Sequence, residues 1–148
     1  MKKLIFTLLM TAFGITASQA NDFEKGVLKG IEMLQSSTTA TASAEVTNYF
    51  ERLSEVNKGE WLPLYYAAYG SLKEGFQQED SDKKDECYNK GLDFIRRAKE
   101  LNPNESEILT MEAYLKLMYI SNDAMSRAPS QTSEAIGLLE KAKALNPN

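Results

Sequence analysis

Histidine is missing from all 148 residues. Its absence removes Ser-His and Cys-His nucleophile pairs, histidine-ligated zinc, and the commonest general base near neutral pH. Cysteine occurs once, at Cys87, so no disulfide can form within the chain even in an oxidising compartment. No glycine-rich phosphate loop exists, because the eight glycines are scattered. The acidic run Glu79-Asp80-Ser81-Asp82 begins like a calcium loop. Lys84 stands where a third ligand belongs, however, and neither the glycine nor the closing glutamate follows at the required spacing. Nothing in the spacing pairs two buried acids for glycosidase-like chemistry. The expectation is therefore no metal, no cofactor and no enzyme. Asn104-Glu105-Ser106 is formally a glycosylation sequon, but a role in starting a helix explains it better.

The first twenty residues, MKKLIFTLLMTAFGITASQA, read as a secretory signal. Lys2 and Lys3 form its positive start, and Leu4 to Ile15 form an apolar core too short to be a permanent span. Ser18 and Ala20 are the small residues required just before the cut. The expected domains are thus a signal over residues 1–20, cleaved after Ala20, and a helical domain over 21–148. Removing Lys2 and Lys3 leaves 15 basic against 21 acidic side chains, a net charge of about −6. That balance argues against nucleic acid and anionic lipid as partners. With the signal gone no membrane span is expected, and the location is periplasmic or secreted.

What the chain does have is a repeat. "AKELNPN" from Ala98 returns as "AKALNPN" from Ala142, and the agreement extends upstream. Gly91, Ile95, Ala98 and Pro103 are matched 44 residues later by Ala135, Leu139, Ala142 and Pro147. Val46, Phe50 and Leu53 precede Gly91, Ile95 and Ala98 by 45, and Ala68-Tyr69 precedes Ala113-Tyr114 by 45. The period of 44–45 marks three units.

Apolar residues recur at three and four, the helical period, and no stretch shows sustained strand alternation. Six helices are expected, over about residues 22–35, 42–55, 61–77, 81–101, 105–120 and 133–145. Turn-rich breaks at 36–43, 57–60, 77–82 and 122–132 separate them. Pro103 lacks an amide hydrogen and stops the fourth helix after Leu101. Asn104 is expected to cap the fifth, with Glu107 closing a capping-box-like pair. Pro63 sits in a first turn, where a missing amide costs little. Cys87 falls four residues before Gly91, on the face expected to be buried, and reads as a small core hydrophobe. Trp61, Leu64, Tyr65, Ala68 and Leu72 share a core stripe, which leaves Tyr66, Tyr69 and Lys73 outside it.

The pattern small–x3–bulky–x2–Ala–x4–Pro, carried by Gly91, Ile95, Ala98, Pro103 and again by Ala135, Leu139, Ala142, Pro147, resembles the second helix of a tetratricopeptide repeat. Trp61-x2-Leu64 resembles the opening of that family's first helix. The period departs from the family's 34 by about ten residues, an excess expected at 77–82 and 122–132 within the hairpins. The family's Gly and Tyr after Trp-x2-Leu are absent, with Tyr65 and Ala68 in their place. HEAT and armadillo repeats share the longer period, but the Asn-Pro endings favour the tetratricopeptide type. The layout is similar to small exported tetratricopeptide-like proteins of Gram-negative bacteria, whose chains continue past the last Asn-Pro. This one stops at a repeat boundary. The resemblance implies an all-α, right-handed α-solenoid of three hairpins.

It also implies a concave groove lined by first helices, and a protein or peptide partner for it. The candidate groove residues are Tyr66, Tyr69, Lys73, Thr110 and Tyr114. The rings of Tyr69 and Tyr114 are expected about 8–10 Å apart across a helix contact, with Lys73 anchoring a carboxylate. The stop after Pro147 is expected to expose an apolar end face of Ile136, Leu138 and Leu145, through which the chain self-associates or is continued. The function expected is a protein- or peptide-binding scaffold. The alternative is a structural subunit of an envelope assembly, joined through its end faces.

Overall fold

Helices follow one another along the whole described chain, residues 21–147, with no strand among them in this computed structural model. The expected signal lies outside the described residues. The elements are α1 (21–36), α2 (Ala40–Val56), α3 (Leu62–Gln77), α4 (Ser81–Leu101), α5 (Ser106–Asn122) and α6 (Ala124–Leu145).

Local chemistry sets most of the ends. The Thr39 hydroxyl accepts from the Ala42 amide at 3.2 Å and starts α2. The Asp80 carboxylate accepts from Lys83 at 3.0 Å and starts α4. Pro63 occupies the first turn of α3, and α4 ends at Leu101, two residues before Pro103. The expected capping box on α5 does not form. Pro103 and Asn104 make the turn itself, Glu105 is the N-cap, and its side chain caps nothing.

The larger correction concerns residues 122–132, expected as a loop. Only Asp123 separates α5 from α6, which runs 22 residues with Pro129 inside it. The long period is therefore taken up by helix: α4 has 21 residues and α6 has 22, against 16 in α3 and 17 in α5. Pro129 removes one ladder bond, to the carbonyl of Met125, and the residue at that turn is 96 % exposed, so water can serve the carbonyl. The early part of α6 is held from outside. Arg127 forms two bonds to Asp85 of α4, donates to the Tyr119 carbonyl of α5 at 2.7 Å, and lies 3.8 Å over the Tyr119 ring.

Packing runs between chain neighbours. The Tyr49 hydroxyl of α2 donates to the Gly26 carbonyl of α1 at 2.9 Å, and the Phe50 ring fills the space over Gly30. A Cβ at Gly30 would lie 2.3 Å from that ring, so the close approach requires glycine. From α2 onward each helix packs on the next, and α3 also touches α5. Phe50, Leu72, Ile95, Ile108 and Leu115 are fully buried along this line. Each such side chain contributes about 2 kcal/mol through removal from water.

Candidate functional site: an aromatic recess between α3 and α5

Ala68 and Ala113 are fully buried on α3 and α5, and the next residue on each helix is turned about 100° away. Those next residues are Tyr69 and Tyr114, 40 % and 43 % exposed. Between them lies a recess of about 210 Å³ lined by Tyr65, Tyr69, Leu72, Thr110, Met111 and Tyr114. The repeat thus does more than set the helices: it places equivalent tyrosines of two units around one hollow. Phe76 extends the aromatic wall, with its ring centroid 6.1 Å from Tyr114 and 6.3 Å from Tyr88.

Polar character at the recess is sparse. Thr110 donates to the Ser106 carbonyl at 2.8 Å, which leaves its oxygen only as an acceptor for anything bound there. Tyr65 is pushed up to about 12, first by burial and then by the nearby Glu107 carboxylate. It therefore stays a neutral phenol at ordinary pH and can donate a hydrogen bond. An apolar hollow lined by three tyrosines suits an aliphatic or aromatic side chain beside a peptide backbone.

Of the five groove candidates, Tyr69, Thr110 and Tyr114 are brought together and two are not. Tyr66 stacks on Phe50 of α2, with centroids 5.0 Å apart and planes 21° apart, and so packs on the core side. Lys73 donates to the Leu34 carbonyl at 2.6 Å, near the carboxyl end of α1. There a cation meets the negative end of a helix as well as an acceptor, which explains why the ammonium is drawn there. Tyr65, Leu72 and Met111 complete the recess without having been singled out. Tyr65 precedes Thr110 by 45 residues, so the repeat carried the signal that helical periodicity assigned to the core.

The end-face candidates divide similarly. Ile136 and Leu145 are 48 % and 44 % exposed, whereas Leu138 is half-buried. Cys87 is buried, and its thiol is pushed up to about 12 by burial first and Glu74 second, which disfavours the reactive thiolate. Among the described residues no group of three or more acidic, cysteine or histidine side chains could hold a metal. No helix among them is long and apolar enough to cross a membrane. No family model matches the chain, and neither a curated protein nor a solved structure was found to match it.

Proposed function

We propose that this chain is an exported, tetratricopeptide-like scaffold that binds a protein or peptide segment in the recess between α3 and α5. In this reading the three helix pairs form a right-handed α-solenoid, the first helices line its concave side, and the protein works in the periplasm or outside the cell. It acts by binding, with no catalytic step. The observation that carries the reading is the meeting of Tyr69, Thr110 and Tyr114, three residues from two repeat units, at one apolar hollow. Tyrosine suits such a site because it offers a large amphipathic contact at little entropic cost.

The test is a pull-down from envelope extract, followed by affinity measurement with the recovered partner. Tyr69→Ala and Tyr114→Ala should each weaken binding about thirtyfold, the loss of about 2 kcal/mol for a central aromatic anchor. Circular dichroism should stay unchanged. Normal binding by both variants would remove the recess from consideration.

A second reading, a subunit joined through its end face, is favoured by the exposure of Ile136 and Leu145 on α6. Under that reading Ile136→Lys, rather than either tyrosine change, abolishes association.

A further inference from the structure

We propose that the aromatic recess takes an arginine side chain of its partner, with the guanidinium among Tyr65, Tyr69 and Tyr114 and directed toward the Glu107 carboxylate. This rests on the recess reading and adds to it the chemistry of the residue bound there.

Hydrogen bonding at the recess runs one way. Thr110 spends its hydrogen on the Ser106 carbonyl and offers only an acceptor. Glu107 is exposed and stands one helical turn before Thr110 and Met111. Second to burial, its charge keeps Tyr65 a neutral phenol, so the carboxylate lies near that wall of the hollow. An ionised carboxylate likewise only accepts. A guanidinium carries only donors, in a plane that stacks on aromatic rings.

The surrounding cations leave that acid available. Lys73 of α3 is held at the Leu34 carbonyl. Lys99 pairs with Glu112, and Lys116 with Glu134. Lys143 borders a neighbouring hollow together with Glu107, but no ion pair joins the two among the described residues. The chain carries a formal net charge of −4, which favours the approach of a cation.

The same arrangement occurs within the molecule. Arg127 lies 3.8 Å over the Tyr119 ring while pairing with Asp85. Cations also lie over Tyr49 and Phe94. Among the described residues none lies over Tyr65, Tyr69 or Tyr114. The hollow of about 210 Å³ has room for one such side chain, with Leu72 and Met111 meeting its methylene stem.

The experiment titrates the full chain with end-capped peptides Ala-Ala-Xaa-Ala-Ala bearing an uncharged fluorophore, read by anisotropy. Xaa is arginine, citrulline (its neutral isostere) or norleucine. The arginine peptide should bind about tenfold tighter than the other two. Tyr69→Ala and Tyr114→Ala should each weaken it about tenfold, whereas Tyr69→Phe, which keeps the ring, should not. Glu107→Gln should weaken it about fivefold, as befits one partly screened ion pair. Glu45→Gln, at an exposed acid of α2, should change nothing. Equal affinity for the arginine and norleucine peptides, lost on Tyr69→Ala, would overturn the arginine proposal and keep the recess. Arginine binding indifferent to both tyrosine truncations would overturn the recess itself. No saturable binding, or equal weakening by Glu45→Gln and Glu107→Gln, would also overturn the proposal.

Discussion

The helices α4 and α6 carry the same pattern 44 residues apart, yet they live in different surroundings. In α4, Cys87, Tyr88, Gly91, Phe94, Ile95 and Ala98 are buried between α3 and α5. In α6 only Ala135 and Ala142 are buried, and of the helices α2 to α5 it packs chiefly on α5, with the Arg127 clasp alone reaching α4. Ile95 is fully buried, while its counterpart Leu139 is 38 % exposed. Burial here is decided by the neighbours a helix has, not by its own pattern. Of the shared positions, Ala135 and Ala142 stay buried like Gly91 and Ala98, and it is the large side chain, Ile95 against Leu139, that is core in one place and surface in the other.

The sharpest way to break this contrast is to truncate the paired positions. Ile95→Ala should destabilise the protein by about 3 kcal/mol, through lost burial plus a cavity, whereas Leu139→Ala should lose less than about 1 kcal/mol. Equal shifts in the urea midpoint would show that α6 is buried in solution.

Glycines give a smaller test of the same kind. A Cβ at Gly70 of α3 would lie 2.6 Å from Thr47 Oγ1 and 3.0 Å from the Thr47 backbone nitrogen, which cannot give way. A Cβ at Gly137 of α6 would meet nothing within 4 Å. Gly70→Ala should thus destabilise by about 2 kcal/mol of overpacking, and Gly137→Ala should stabilise by up to about 1 kcal/mol through helix propensity. A destabilising Gly137→Ala would mean that something packs on that face.

How much of this could be read from the chain depends on range. Pairing of helices, the stop at Pro103 and the meeting of Tyr69 with Tyr114 follow from spacing within one unit or from the repeat, so they were legible. The start of α6 was not, because Pro129 looks like a breaker and the contact that overrides it, Arg127 with Asp85, spans 42 residues. Extending the repeat from Ser81, where α4 begins, would have pointed to Met125. Lys73 was misplaced for the same reason: its acceptor lies 39 residues away on α1.

The Arg127 clasp supplies the smallest predicted effect. The guanidinium holds the Asp85 carboxyl below its usual range, first by hydrogen bonding against an opposing effect of burial. A lowered carboxyl stabilises the fold above the unfolded value of about 3.9, and that share is lost as pH falls through the folded value. Amide exchange over residues 124–129 should quicken below about pH 4. Arg127→Ala should produce that quickening at neutral pH and leave α4 protected. Protection of 124–129 unchanged in the variant would assign α6's first turns some other anchor.

Contacts between chain neighbours also govern how quickly this molecule assembles. Each helix from α3 onward docks on one already formed just before it, and among the described residues the contacts that skip a helix are few: α3 on α5, Lys73 to α1 and Arg127 to α4. Loops of one to five residues make closure entropically cheap, so the search is short and folding should be rapid for a chain of this size. The aromatic cluster of α2 and α3, where Phe50 stacks on Tyr66, offers the natural nucleus, and growth proceeds outward from it. In that order α6 arrives last and leaves first. A chain pulled from its C-terminal end would yield by peeling that helix away before the rest feels the load.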